Sequence, residues 1–325
     1  MTEFPPIISP PLNTPIAVGV SGGPDSMALL HMLCQNAPTS TQIHALIVNH
    51  DLRPDSEAEA KNVYNTIKEW NNVIPYILKW EGEKPETGKL EAARNARFSL
   101  LQNYCGAHNI PTLYLAHHMD DQAETFLFRL AKGSGLDGLT GMAEEKKLTP
   151  DLTLIRPLLN STKEEILGYC EEHKIPFVKD PTNENTSYMR PRLRESREIL
   201  EREGLTNQRL ATTAKRLLRV RTALEQMTDK IWSDIHTYEE NTPRPLLTLN
   251  LDVLSTYPDE IRIRILQKSI DFLLPDKPYP PRLEKVERLS DMLFQEPDFT
   301  QRTLSGLIFK RKKEKNVVFL HIQPE

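Results

Sequence analysis

The sequence predicts an α/β protein: a doubly wound, mainly parallel sheet, followed by a helical linker and a small α+β unit. Three observations carry that expectation. Short apolar runs alternate with longer amphipathic segments from Ile16 to about His173, the order that lays parallel strands side by side with helices on both faces. The run Ile16-Ala17-Val18-Gly19-Val20 passes straight into Ser21-Gly22-Gly23-Pro24-Asp25-Ser26 and then into the apolar segment Met27–Leu33, hence strand, glycine turn, helix. The charge also changes sign along the chain: the first 189 residues hold 16 Lys+Arg and 24 Asp+Glu, the remainder 25 and 21. A chain of 325 residues, 38% hydrophobic and 26% charged, is too long for one small domain. The expected division is 1–189 for the sheet domain, 190–240 for a basic helical linker and 241–325 for the α+β unit.

The elements follow in order. Residues 1–15 are Pro-rich and read as a lead-in without a signal-peptide pattern. After the first strand and its helix, Ile43–Val48 reads as a second buried strand ending at Asn49-His50-Asp51. Asp55–Asn71 has an apolar stripe of Ala58, Val63, Ile67 and Trp70 and reads as a helix. Pro75–Lys79 reads as a third strand, Gly88–His108 as a long helix, Thr112–Ala116 as a fourth strand and Met119–Lys132 as a helix. Gly133–Gly141, with glycines at 133, 135, 138 and 141, reads as a mobile segment that a ligand orders. Leu154–Leu159 reads as a fifth strand and exit. Ser161 or Thr162, with Glu164 and Glu165, starts a further helix to about His173. Asp180–Asn185 is turn-rich, and Asn207 to about His236 is long enough for one helix of roughly eight turns. Glu240–Arg244 reads as a linker, Pro258–Leu274 and Arg282–Phe294 as helices. Thr303–Lys310 with Asn316–Ile322 reads as a terminal hairpin, Lys310-Arg311-Lys312-Lys313 standing near its turn.

Composition excludes several classes. No run of about 18 apolar residues crosses a membrane. Cys34, Cys105 and Cys170 are scattered and form no CxxC pair, which argues against structural zinc or an iron–sulfur cluster and for buried thiols in a reducing cytoplasm. The overall charge of −4 speaks against nucleic acid, yet residues 190–221 hold 10 basic and 4 acidic side chains, a local +6.

Two stretches carry chemistry. Ser21–Ser26 has the layout of a phosphate site: glycines that let backbone approach an anion, Pro24 suited to the first turn, and first-turn N–H groups with the helix dipole behind them. Asp25 beside a polyphosphate makes sense with a cation such as Mg²⁺ between them. No Gly-Lys-Ser/Thr follows, so this is not a Walker A loop. The second stretch is Ala116-His117-His118-Met119-Asp120-Asp121-Gln122-Ala123-Glu124-Thr125. It places two histidines at a strand end, and Asp121 and Glu124 on one helix face. Those acids cap the helix, form half a metal site, or hold an ammonium group; spacing alone leaves the three open. Arg97 shares a face with Leu90, Ala93, Leu101 and Tyr104, and either snorkels or pairs with acid or phosphate.

The segment SGGPDS resembles the signature of the PP-loop ATP pyrophosphatases. The ordered set SGGPDS, VNHDLRPDS, EAARNARF, AHHMDDQAET, GSGLDGLTGM and DPTNENTSYMRPRLR resembles the bacterial tRNA(Ile)-lysidine synthase family over about the first 200 residues. Arg302-Thr303-Leu304-Ser305-Gly306 is a weaker likeness to that family's first C-terminal domain, and a second such domain is expected to be lacking. The resemblance implies a Rossmann-like PP-loop ATPase fold. It implies adenylation of the carbon-2 oxygen of the wobble cytidine in a CAU-anticodon tRNA(Ile), then attack by the ε-amine of L-lysine. Ser21, Gly22, Gly23, Pro24, Asp25, Ser26 and His117 would hold ATP, with Asp25 on Mg²⁺. Asp121 and Glu124 would hold lysine, with Arg97 nearby. Arg190, Arg192 and Arg194 would meet phosphates of the adenylate or tRNA, and Arg216 and Arg219 would add to the tRNA surface. On this reading Asp25, Arg97, Asp121, Arg192 and Arg194 are the catalytic set, and a homodimer is the expected assembly. The rivals are a tRNA 2-thiocytidine synthetase, whose paired cysteines are missing here, NAD or GMP synthetases, and a non-catalytic ATP- or tRNA-binding module.

Overall fold

The structure, a computed structural model, describes residues 13–82, 84–85, 87–178, 196–240, 244–275 and 281–325. The chain divides into two compact units, Met1–Arg216 and Leu217–Glu325.

In the first unit the chain runs β1 (Ile16–Val20), α1 (Pro24–Asn36), β2 (Ile43–Asn49), α2 (Ser56–Ile67), β3 (Val73–Lys79) and α3 (Lys89–Ala107). It continues through β4 (Thr112–Tyr114), α4 (Met119–Ala131), α5 (Leu136–Leu139), β5 (Glu145–Thr149), β6 (Leu152–Ile155), α6 (Lys163–Glu172) and α7 (Arg197–Arg202). These strands form one sheet in the order β3-β2-β1-β4-β6-β5. All pairings are parallel except β5 with β6. From β1 the chain winds outward to β2 and β3, then returns to the other side with β4. The switch of direction therefore falls between β1 and β4, where such sheets open a crevice at the strand carboxyl ends.

Every residue of β1 is buried, as a central strand covered on both faces requires. Its alternation divides the core. Ile16, Val18 and Val20 pack with Leu29, Met32 and Leu33 of α1, Val63 and Ile67 of α2 and Ile166 of α6. Ala17 faces the other way, with Leu46, Leu113, Leu154 and Leu101 of α3. Pro75 lies inside β3, which is tolerable because β3 is an edge strand that pairs only with β2. Several elements differ from the expectation in their bounds. The strand expected to run to Leu159 ends at Ile155, where Pro157 cannot extend a ladder. The unexpected β5, Glu-Lys-Lys-Leu-Thr, is an exposed edge strand without an apolar alternation to announce it.

The helix α8 (Asn207–Ile235) is continuous through the division between the units. The second unit continues with β7 (His236–Glu239), β8 (Leu246–Asn250), α9 (Leu251–Ser255), α10 (Asp259–Leu273) and α11 (Leu283–Gln295). The chain then ends through β9 (Gln301–Leu304), β10 (Leu307–Glu314) and β11 (Val317–Pro324). The sheet is antiparallel in the order β7-β8-β11-β10-β9. Its core joins Ile231, Trp232 and Ile235 of α8 to Leu249, Ile265, Leu266, Leu289, Phe309, Leu320 and Ile322. The expected hairpin is redrawn. Ser305 and Gly306, at φ 64° and 85°, make a tight turn that separates β9 from β10. Lys310–Lys313 therefore lies within β10, and the next turn is at Lys315-Asn316. Among the described residues no helix is long and apolar enough to cross a membrane.

The three cysteines are free thiols, Cys105 and Cys170 buried and Cys34 half-buried. Burial pushes Cys34 and Cys105 up to about 12 and Cys170 up to about 11.

Candidate active site

The glycine turn sits at the carboxyl end of β1, beside the switch point. Gly22 has φ +84°, and a Cβ there would lie 2.5 Å from Cγ2 of Val63 on α2. Both the left-handed backbone and the close approach require glycine. Gly23 caps α1 without a side chain, and Pro24 fills the first helical position, where no N–H is needed. Ser26 braces the turn: its Oγ donates to the Gly23 carbonyl at 3.1 Å and accepts from the Ser21 N–H at 3.1 Å. The Ser21 and Ser26 hydroxyls are 3.2 Å apart. The result is a rigid loop presenting hydroxyls and an uncapped helix start, the construction of an anion site.

A cleft of about 730 Å³ opens over this loop. Ser21, Gly23, Pro24 and Asp25 line it from one side, His118, Asp120, Asp121 and Glu124 from α4, and Lys163 from α6. The sequence brought the glycine loop and the α4 acids to strand ends; the structure brings them to one cavity. His118 and Asp121 form a capping box at the start of α4. The His118 Nδ1 accepts from the Asp120 N–H at 3.3 Å, and Asp121 Oδ2 accepts from the His118 N–H at 3.1 Å. Asp121 thus caps the helix and lines the cleft at once. His118 Nε2 lies 3.6 Å from Asp121 and 3.8 Å from Asp25 Oδ1, so one imidazole stands between the two carboxylates.

Two cations complete the cleft. Lys163 Nζ donates to Asp25 Oδ1 at 2.5 Å. Arg197 of α7 reaches the buried Asp120 at 3.0 Å and Glu201 at 2.8 Å. The Glu201 hydrogen bond holds the Arg197 guanidinium above its ordinary pKa. The wall is closed by main chain, the Val178 N–H donating to the Gly22 carbonyl at 2.9 Å.

Arg97 does not line this cleft. Its Nη2 lies 3.5 Å from where a Cβ of Gly19 would stand, while the same Cβ would lie 2.5 Å from Cδ2 of Leu115, so it is Leu115 that requires glycine in β1. Burial lowers its pKa, Arg94 pushes the same way and Asp121 opposes them. His117 is also off the cleft: its Nδ1 accepts from Arg156 Nε at 3.2 Å. Arg156 further donates to the Ala143 carbonyl at 2.8 Å, and burial followed by Arg94 lowers it to about 10. His50, at the end of β2, is lowered by burial and then by Arg97 and Lys84. A strongly cationic border thus runs along the strand ends on the α3 side, where an anion is favoured.

The glycine-rich segment after α4 is fastened rather than loose. Arg129 donates to the carbonyls of Gly138 and Gly141 at 2.7 and 2.9 Å. The Gln122 amide exchanges hydrogen bonds with the Met142 backbone at 2.7 and 2.6 Å. Arg216 and Arg219 are exposed on α8. Arg190, Arg192 and Arg194 lie outside the described residues. His118 and Lys163, which local sequence does not single out, both face the cleft. The available signal for Lys163 was a cation at the first position of a helix, which the helix dipole disfavours unless something there attracts it.

Residues 3–202 match the family model described as a PP-loop domain. A tRNA(Ile)-lysidine synthase of Wolbachia pipientis wMel is 33% identical over 310 residues, covering 95% of this chain and 70% of that relative. One from Methylobacterium nodulans is 37% identical over 281 residues, covering 86% and 80%. Among solved structures, the U34-tRNA thiolase NcsA from Methanococcus maripaludis shares the fold at a TM-score of 0.55, with 19% identity, over 64% of this chain and 74% of that one.

Proposed function

This chain belongs to the PP-loop family and, within it, to the tRNA(Ile)-lysidine synthases, and from that premise we propose how its own residues make lysidine. ATP is the nucleotide, as the PP-loop domain implies. The observation that carries the assignment of roles is that the glycine loop and the acids of α4 line one cleft.

In the first step the carbon-2 oxygen of the wobble cytosine attacks the α-phosphorus of ATP, and pyrophosphate leaves. Ser21, Ser26 and the start of α1 hold the polyphosphate, and the helix dipole favours the charge that grows on the leaving group. In the second step the lysine ε-amine attacks carbon 2, the carbon–oxygen bond to the adenylate breaks, and AMP leaves. Asp121 and Glu124 receive the ammonium before it loses its proton. Carboxylates raise an ammonium's pKa, so they bind lysine in the form that must then be deprotonated. Arg190, Arg192 and Arg194 serve, by family likeness, the anionic adenylate and the tRNA backbone, and Arg97, whose charge is felt at Asp121, stands near the amine site. Mg²⁺ fits the donor chemistry: Asp25 already draws a cation, the Lys163 ammonium, and Mg²⁺ takes few protein carboxylates beside phosphate oxygens. When bound it would be held by Asp25 and would neutralise polyphosphate charge.

We place the enzyme in the cytoplasm, where its three free thiols stay reduced, and propose a homodimer, to be tested by light scattering. The decisive experiment incubates CAU-anticodon tRNA(Ile) transcript with ATP and labelled lysine and digests it to nucleosides. Label at the wobble nucleoside is expected; a wobble cytidine without label overturns the reading.

The exposed Arg216 and Arg219 are assigned to tRNA phosphates. Each neutralised phosphate releases counterion, so R216E/R219E should weaken tRNA and flatten the log–log salt slope by roughly one to two units, with ATP affinity unchanged. A filter-binding series from low to high salt checks this, and an unaltered slope removes both residues from the interface.

A further inference from the structure

We infer that Lys163 is a polyphosphate-binding residue, supplying from α6 the ammonium that the glycine loop itself lacks. The inference rests on the reading of residues 21–26 as the ATP loop and deepens it. Lys163 opens α6, immediately after Ser161 and Thr162. Thr162 and Glu165 cap that helix reciprocally: the Glu165 N–H donates to Thr162 Oγ1 at 3.1 Å and the Thr162 N–H to Glu165 Oε2 at 2.8 Å. The Ser161 carbonyl accepts from the Met119 N–H at 2.9 Å, which fixes the start of α6 against the start of α4. The Lys163 side chain therefore springs from an immobile base at the rim of the cleft.

Its ammonium donates to Asp25 Oδ1, and both side chains keep solvent access, 30% for Lys163 and 27% for Asp25. A pair that served only to tie α6 to α1 would be redundant. Cys170 Sγ already meets the Pro24 carbonyl at 3.5 Å, and the Val178 N–H already holds the Gly22 carbonyl. The pair instead lines the cleft, at the spot where a polyphosphate seated on Ser21–Ser26 brings negative charge against Asp25. A phosphate oxygen carries more charge toward the ammonium than one half-exposed carboxylate does, and Lys is a flexible point charge well suited to exchange partners. Without ligand Lys163 neutralises Asp25; with polyphosphate it turns to the phosphates and leaves Asp25 free for a metal ion.

Calorimetry with inorganic pyrophosphate on the full chain tests this without requiring lysidine formation, so its failure is separable from failure of the overall reading. Lys163→Met should weaken pyrophosphate roughly 10- to 100-fold, and Lys163→Arg should recover most of the loss. Unchanged affinity in Lys163→Met overturns the proposal. So does equal loss in both variants with a lowered melting temperature, which marks a structural tie. If Lys163→Met fails to fold, the wild-type protein methylated with ¹³C on lysine gives the answer. The resonance missing from the Lys163→Arg spectrum should shift on adding pyrophosphate; a resonance that stays in place refutes the assignment.

Discussion

Asp25→Ala is expected to lose adenylation by on the order of 10³-fold or more, the scale for removing a group that stabilises charge developing at a reacting phosphate. The position explains the size. Asp25 is in the first turn of α1, on the wall of the cleft, with Lys163 at 2.5 Å and His118 at 3.8 Å. Removing the carboxylate leaves the lysine ammonium and the imidazole without their shared anion, and on the proposed reading it also removes the group that would hold Mg²⁺. Because the side chain is part-exposed, the released ammonium can be solvated, so folding should survive and the loss should be chemical. The measurement is tRNA-dependent exchange of labelled pyrophosphate into ATP, alongside tRNA affinity, which should stay within about twofold because the variant alters no arginine of the tRNA surface. Adenylation within tenfold of wild type would remove Asp25 from the catalytic set.

Asp121→Asn and Glu124→Gln should separate the two steps. Both variants should still transfer AMP to tRNA, while the lysine concentration for half-maximal product rises roughly 10- to 100-fold in each, the scale of one hydrogen bond to a charged group. Asparagine is the informative replacement at 121 because its amide oxygen can still accept from the His118 N–H and keep the cap of α4. A cap-only role predicts a normal lysine requirement with a small loss of stability on further change to Ala. A binding role predicts the raised requirement in the capped variant. Single-turnover assays with ATP labelled in the α-phosphate follow AMP transfer, and labelled lysine follows ligation. A lysine requirement unchanged in both variants excludes these carboxylates from the amine site.

What the sequence made legible was what physical constraints write locally. Gly22 and Gly23 between a buried strand and an apolar helix could only be a tight turn, and the turn is where it was expected. The continuous apolar run of β1 and the apolar stripe of α2 pointed to a buried parallel sheet covered by helices. Most of what the sequence leaves illegible depends on partners distant in sequence. β5 is polar and exposed, and becomes a strand only because β6 offers it an edge. Ser305-Gly306 is as brief as a turn can be and was absorbed into a strand. His117 and His118 are adjacent in sequence, but extended backbone sends them to different neighbours, one to Arg156 and the other between Asp25 and Asp121. The Lys163–Asp25 pair joins residues 138 positions apart, and no local pattern announces such a contact.

The chain also carries its own chemical reporters. All three cysteines, at 34, 105 and 170, stand in the first unit and none in the second. Their thiols, pushed up to about 11 or 12, hold almost no thiolate at neutral pH. In the native state they should be nearly silent to maleimides, and alkylation should proceed only through openings that expose them. Cys170, lying against the Pro24 carbonyl, then times the parting of α6 from the nucleotide loop, while Cys105 on the buried side of α3 times the opposite face of the sheet. Slower alkylation at 170 than at 105 on adding ATP would map, cysteine by cysteine, how nucleotide occupancy tightens one side of the first unit before the other.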